Sequence, residues 1–384
     1  MKHYCPLPWV NLYAEIDGFE PCCNWKRLPG DEVAQDADQG FHGIKIQQVR
    51  QDMLAGKSIP NCEYCYNDES IGAKSFRQSA IERYGIVNEP NIQSLDIAFD
   101  NVCNLKCRGC NSSASHLWRN DEIELYGQPL VKDKYTKNLT FQTADISHLK
   151  SVTISGGEPF FSKDCEQFLI DLKNKNIIKN IDLTFATNCT IIPNSEVHRL
   201  LLECNNLNIV LSIDGIGELN EYFRSPSNWN NCVNVMKYFD QLIDLRKDKQ
   251  TTISVRTTVY IYNVNKLKEI ELFFQQNFPR FEQCKRNISV EPTMLSIKNM
   301  PNDLKDLIRP IVESYGPNYN EVLNMLNQPG ENLFDEFLFF HNKLDSLRKE
   351  QLGDANQLLS DYIAQHESKY KGYLDGKKIF PCIT

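Results

Sequence analysis

The stretch Cys103-Asn104-Leu105-Lys106-Cys107-Arg108-Gly109-Cys110 sets three thiols apart by three and then two intervening residues. Just before it, Leu95-Asp96-Ile97-Ala98-Phe99-Asp100 alternates apolar and polar residues and predicts a β-strand. The cysteines therefore fall on a loop at the carboxyl end of a strand, where α/β folds carry their chemistry. Three thiolates this close can hold three corners of a cubane iron–sulfur cluster and leave a fourth iron open to a small molecule. A structural zinc ion would require a nearby fourth ligand, and His116 is the candidate that the sequence offers.

Cysteine usage supports metal rather than disulfides. The chain of 384 residues holds 14 cysteines, and its first residues lack the apolar core of a secretion signal. Cys5, the pair Cys22-Cys23, and the Cys62/Cys65 knuckle precede the loop; Cys165, Cys189, Cys204, Cys232, Cys284 and Cys382 are scattered and read as small buried hydrophobes. Cys382 in the carboxyl-terminal tail is also within conceivable reach of a metal site. A net charge of −8 opposes a nucleic-acid backbone as partner. No apolar run has the length of a membrane span. The expectation is a cytoplasmic protein with no membrane partner.

Residues 1–94 form the first predicted region. The strand up to Ile16, the Asp17-Gly18 turn signal and the returning Phe19–Trp25 segment make a hairpin with Cys5 near one end and Cys22-Cys23 near the other. A helix is expected over 43–56, then the Cys-x2-Cys knuckle, then a helix entered through Glu69–Arg77 and running to Tyr84. Cys5, Cys62, Cys65 and one of Cys22 or Cys23 complete a four-thiol metal site, with Cys22 favoured because it follows Pro21.

Residues 95–300 alternate strands and helices. Later strands are expected at 151–155, 180–187, 207–214, 252–260 and 288–292, with helices near 162–176, 194–204, 228–246 and 264–277. Six βα units are too few for a closed eight-stranded barrel and fit an open one. Residues 111–150 read as an insertion, polar and lysine-rich in its second half. Residues 301–384 read as helical, with Phe334, Phe337, Leu338 and Phe340 expected in a core.

Three further motifs follow strands. Gly156-Gly157-Glu158 offers close backbone approach and acceptors for an ammonium group. Asn188, followed by Cys189, offers amide hydrogen bonds. Ser212 and Asp214 point to one side of their strand and can bond a ribose. Arg224 and Arg256 are each able to fork onto a carboxylate.

Taken together, Cys-x3-Cys-x2-Cys enclosing Asn104-Leu105, followed in order by Gly-Gly-Glu, Thr187-Asn188 and Ser212-Ile213-Asp214, resembles the radical SAM superfamily. The amino-terminal pattern resembles the twitch or SPASM type of auxiliary-cluster domain, with two departures: it precedes the barrel, and the gap from Gly18 to Cys22 is one residue short. The resemblance implies an α/β fold: a partial (β/α)6 TIM-like barrel with a small amino-terminal cysteine-rich domain and a helical carboxyl-terminal region. It implies a [4Fe-4S] cluster on Cys103, Cys107 and Cys110, a second iron–sulfur cluster on Cys5, Cys22, Cys62 and Cys65, and S-adenosylmethionine held by Gly156, Gly157, Glu158, Asn188, Ser212, Asp214 and Arg224 or Arg256. The implied activity is reductive cleavage of S-adenosylmethionine and hydrogen abstraction from a peptide or protein in ribosomal peptide maturation. A small-molecule substrate (sugar, nucleotide or cofactor precursor) is the alternative enzyme reading, and a zinc-binding interaction protein the non-catalytic one. An electron donor such as flavodoxin or ferredoxin and a peptide-recognition protein are the implied partners.

Overall fold

The computed structural model describes residues 3–15, 18–131 and 145–370. The Asp17 half of the hairpin turn, the middle of the 111–150 insertion and the Cys382 tail lie outside these residues. Among the described residues, no helix is long and apolar enough to cross a membrane.

The sheet is one piece. Its strands are β1 (Asn11–Glu15), β2 (Gly18–Glu20), β3 (Ser94–Ala98), β4 (Ser151–Ser155), β5 (Asp182–Thr187), β6 (Leu207–Ser212), β7 (Thr251–Val259) and β8 (Glu282–Ile288). They are ordered β2-β1-β3-β4-β5-β6-β7-β8, so the sheet stays open between β2 and β8. β3 through β8 run parallel, as βα units require. The amino-terminal hairpin adds two strands to these six: β1 pairs antiparallel with β2 and parallel with β3, Tyr13 lying opposite Asp96.

Alternation along the strands separates two faces. Leu95, Ile97, Val152, Ile154, Leu183, Phe185, Ile209, Leu211, Ile253 and Val255 point outward and are buried in the main core. The helices Lys163–Asn174, Ser195–Glu203, Trp229–Leu245 and Leu267–Asn277 cover that face, contributing Leu169, Leu200, Phe239 and Phe274 among others. Across the inner face runs a polar row in register: Tyr13, Asp96, Thr153, Thr184, Asn208 and Thr252. Parallel strands buried on both faces read as continuous apolar runs; this strict alternation therefore marks an inner face built for polar contacts.

Two departures from the sequence expectation have simple causes. The last strand is Glu282–Ile288, not 288–292. As an edge strand paired only with β7, it can be charged, and Pro292 has no N–H to give a ladder. Helices Glu63–Ser70 and Phe76–Tyr84 are separate, because Ser75 starts the second with a capping box to Gln78.

A smaller core under the amino-terminal cysteines gathers Tyr4, Leu7, Trp9, Val10, Trp25, Ile46, Val49 and Met53. The carboxyl-terminal helices close a third core, where Phe334, Phe337, Leu338 and Phe340 are buried as expected. Arg50 pins the smaller core: it is 7% exposed and donates to Pro8 O at 2.9 and 2.7 Å and to Phe41 O at 2.6 Å. Among the described residues it has no carboxylate partner, and burial lowers its pKa to about 10. Arg50→Met should strand two buried carbonyls and lower stability by about 1–3 kcal/mol, read as a shifted midpoint in urea unfolding; an unchanged midpoint would show that water replaces the guanidinium.

Candidate cluster and cofactor site

The cysteine loop leaves β3 and is fastened at every turn. Asp100 accepts from Val102 N at 2.9 Å and Ser162 Oγ at 2.6 Å, and Asn101 Nδ2 donates to Ser112 O at 2.8 Å. Lys106 N and Arg108 N each donate at 2.7 Å to Ser225 O and Phe223 O, and Trp118 Nε1 donates at 2.8 Å to Cys107 O. These bonds bring Cys103, Cys107 and Cys110 together, with a thiol–thiol hydrogen bond between the last two. That bond holds the Cys107 thiol below its usual range against burial, and Arg224 acts in the same direction. Arg224 donates to Cys107 Sγ at 3.8 Å. His116 turns its Nδ1 to Cys103 N at 3.3 Å and to Asn101 O at 3.4 Å, toward backbone rather than the thiols.

Around this loop stand the strand-end motifs. Gly157 N and Glu158 N donate at 3.0 Å to Asp100 O and Val102 O, laying the Gly-Gly turn against the loop. A Cβ on Gly157 would stand 2.3 Å from Val102 O, so only glycine fits there. The Glu158 carboxylate does not reach outward. It is fully buried and accepts from Thr187 Oγ1 at 2.8 Å, Asn188 N at 2.7 Å and Phe160 N at 3.2 Å, and burial pushes its pKa up to about 7. It braces the ends of β4 and β5. Asn188 Nδ2 donates to Cys103 Sγ at 3.7 Å and Asn104 Oδ1 at 2.8 Å. Cys189 has φ of +62°, the left-handed conformation that glycine adopts freely, and its fully buried thiol points to Cys232 O, away from the loop.

Ser212 is half-buried at the end of β6. Asp214 is buried, accepts from Thr258 N at 2.7 Å and pairs with Arg224 at 2.7 Å. Arg224 thus bridges Asp214 and Cys107, and its Nε is buried with no partner among the described residues. Arg256 lies opposite Ser212 on β7 and is exposed on the inner face.

The second thiol group also assembles. Cys5, Cys22, Cys62 and Cys65 sense one another electrostatically, and burial raises Cys5 and Cys62 to about 12. The positioning is local. Asn11 Nδ2 holds Pro21 O at 3.0 Å, and Lys26 and Asn61 exchange backbone and side-chain hydrogen bonds at 2.9 and 2.8 Å just before the knuckle. The neighbouring Cys23 thiol donates to Asn24 Oδ1 at 3.9 Å.

The donor sets fit iron–sulfur clusters. Among the described residues, no three His, Cys, Asp or Glu side chains are spaced to grip one ion. A four-iron cluster instead offers each thiolate its own iron, so it does not require three ligands around one ion. Arg224, bonded to Cys107 Sγ, keeps a buried Nε with no partner among the described residues, which an anionic group would satisfy.

Sequence reasoning did not find the knot behind the loop. Arg108 has no exposed surface, pairs with Asp345 at 2.5 Å and Glu350 at 2.8 Å, and lies 3.8 Å over the Tyr222 ring. Tyr222 Oη stands 3.0 Å from His341 Nδ1, with Tyr262 Oη 3.3 Å away. Burial and the Arg108 charge lower the His341 pKa to about 3, outweighing Asp345 at 3.7 Å, whose carboxylate Arg108 already holds. The sign follows: the unfolded chain takes up a proton near the ordinary histidine pKa and the folded one does not. Stability is therefore full above that range and falls as pH drops toward 3. Between pH 7.5 and pH 5 this group should cost about 2 kcal/mol; His341→Phe should flatten that part of the urea-stability profile, and an unchanged slope would show that His341 protonates freely.

Residues 97–270 match the Radical SAM superfamily model. A search of curated proteins gave no match. Among solved structures, Streptococcus suis SuiB bound to S-adenosylmethionine is similar at 18% identity over 86% of this chain and 72% of that one, with a TM-score of 0.37. Another, anSMEcpe with bound AdoMet and Cp18Cys peptide, shows 18% identity over 68% and 67% of the two chains, with a TM-score of 0.37. TYW1 with a lysine-pyruvate adduct bound shows 14% identity over 70% and 80%, at a TM-score of 0.34. The resemblance to the Radical SAM superfamily thus lies in residues 97–270, which carry the cysteine loop and the strand-end motifs.

Proposed function

We propose that this protein is a radical SAM enzyme with a second, auxiliary iron–sulfur cluster, acting on a peptide or protein substrate. The observation that carries the reading is the convergence of Cys103, Cys107 and Cys110 beside the Gly156-Gly157 turn and Arg224 at the carboxyl ends of the strands. When bound, a cluster held by these three thiolates would supply the one-electron reduction that cleaves S-adenosylmethionine for hydrogen abstraction from the substrate.

The chain's own residues do the holding. The three thiols anchor the cluster, and Asn188 and Arg224 hydrogen-bond Cys103 and Cys107 sulfurs. With the Glu158 carboxylate occupied, Gly156 and Gly157 offer backbone acceptors to the cofactor's ammonium group, and Glu158 keeps the turn in place. Arg224 Nε is left to meet the methionine carboxylate. Ser212 stands at the rim for the ribose, and Asp214 acts by orienting Arg224. Cys5, Cys22, Cys62 and Cys65 hold the auxiliary cluster, with no open iron. The peptide class is the one that the amino-terminal cysteine pattern implies, and a flavodoxin or ferredoxin in the cytoplasm would supply the electron.

Protein reconstituted without oxygen should hold about eight iron and eight sulfide per chain. Cys107→Ala should lose roughly half of both and lower 5′-deoxyadenosine formation more than about 100-fold. Cys62→Ala with Cys65→Ala should lose the other half and keep part of that cleavage. Retained 5′-deoxyadenosine formation in Cys107→Ala would refute the catalytic assignment, and zinc in place of iron would make the module structural.

A further inference from the structure

Between the cluster loop and the amino-terminal knuckle lies a cavity of about 280 Å³. Cys110 borders it on one side, and Tyr64, inside the Cys62/Cys65 knuckle, on another. Residues 291–294, which follow β8, and Phe340 of the helix Phe334–Arg348 complete the wall. All three regions of the chain therefore meet around this space. Pockets for whole small molecules run to ~300–1,000 Å³; this one has room for a single long side chain. Met294, Phe340 and the ring of Tyr126 give it apolar walls for the stem of such a side chain.

The cavity carries negative charge that the protein leaves uncompensated. Glu122, in its wall, is 1% exposed. It accepts from Ser112 N at 2.7 Å, Ser112 Oγ at 2.6 Å and Leu130 N at 2.8 Å. These donors are neutral, and among the described residues no cation pairs with it. A carboxylate buried without a counter-ion is costly, and apolar walls strengthen its field. Glu291 adds a second carboxylate, exposed at the mouth and accepting from Thr293 N. Lys26, whose charge reaches Glu291, is itself bonded to Glu63 Oε2 at 2.7 Å. The hydroxyls of Tyr64 and Tyr126 line the same space and have no hydrogen-bond partner among the described residues. Apolar walls, two carboxylates and unspent phenol oxygens together describe a receptor for a cation on an aliphatic stem.

We propose that this cavity is a specificity site for the peptide substrate and takes the side chain of a lysine or arginine residue beside the cluster loop. This rests on the radical SAM reading above and names what its peptide must present. The methylene stem would lie along Met294 and Phe340, and the cation would meet Glu291 and the tyrosine hydroxyls within the field of Glu122. A norleucine side chain fills the same walls but leaves both carboxylates without a counter-ion, and an acidic side chain is repelled. Because Cys110 belongs to both the loop and the cavity wall, a side chain anchored here fixes the register of the peptide against the loop.

The probes are blocked alanine pentapeptides with lysine, arginine, norleucine or glutamate at the centre. Their dissociation constants are measured by calorimetry on holoprotein reconstituted without oxygen, with S-adenosylmethionine present. The lysine and arginine peptides should bind about tenfold more tightly than the norleucine peptide, the worth of one hydrogen bond to a charged group. The glutamate peptide should bind most weakly. Glu291→Gln should remove most of the preference for a cation and leave the norleucine peptide unchanged. Met294→Trp fills the cavity and should weaken both basic peptides about tenfold. Iron content and the urea midpoint of both variants should match wild type, which separates loss of the site from loss of the fold. Equal affinity for the lysine and norleucine peptides, a preference that survives both substitutions, or no binding of any peptide at millimolar concentration would overturn the site. Free lysine should bind more weakly than its peptide, because its own carboxylate meets two others; tighter binding of free lysine would overturn the peptide assignment. Formation of 5′-deoxyadenosine is read on the same wild-type preparation. Its absence beside selective peptide binding would remove the radical SAM reading, whereas cleavage without selectivity would remove this inference alone.

Discussion

The cysteine loop stands on Arg108, a cation with no solvent exposure placed between two of the three thiols. Its charge is met by Asp345 and Glu350 at the end of the helix Phe334–Arg348, more than two hundred positions later in sequence, and by the face of Tyr222. Breaking a fully buried pair costs about 3–5 kcal/mol; here each carboxylate keeps 18% exposure, so the cost is lower. Arg348 repeats the arrangement a turn away, bonding Asp121 at 2.7 Å and lying over Trp118, whose indole holds Cys107 O. The carboxyl-terminal helices therefore do more than cover apolar surface. They fix the backbone of a loop whose thiols must stand in one arrangement before anything binds.

The same economy of position runs through the rim. Three groups that look like ligands in sequence, Glu158, Asp214 and Asn188, spend their polar atoms on the protein itself. Each fixes a neighbour: Glu158 ties β4 to β5, Asp214 aims Arg224, and Asn188 steadies Cys103 and Asn104. By contrast, Ser212 is half-buried at its strand end and Arg224 keeps one buried nitrogen with no partner among the described residues. Rigid second partners of this kind hold a site in a single geometry more firmly than flexible side chains on loops can.

How far the sequence could be read follows from the range of each interaction. The strands β4 to β7 and their helices were legible because their alternation is dictated by a buried outer face. β8 was not, since an edge strand carries charge and shows no such pattern. The three-cysteine spacing is a local signal and was read directly. Cys189 was opaque in sequence because its reason is a backbone angle, φ of +62°. Cys22 and Cys23 were ambiguous because they enter a turn closed by Trp25 N on Cys22 O, and only the fold says which of the two sides with the other thiols. Arg108 was unreadable for another reason: its partners lie in a region whose sequence announces only helix.

The parallel pairing of β1 with β3 has a mechanical consequence. Two linked modules would ordinarily be free to swing about their tether, but here a hydrogen-bonded ladder joins them, Asn11 to Ser94 through Ala14 to Ile97. Moving one thiol group relative to the other would mean unzipping a strand from the middle of a sheet. The span between the two thiol groups is thus set by strand spacing, as fixed as a rung on a ladder. The ladder also makes the barrel dependent on its prefix: a chain begun at residue 94 would present β3 as a bare, apolar parallel edge, ready to pair with the same edge of another copy.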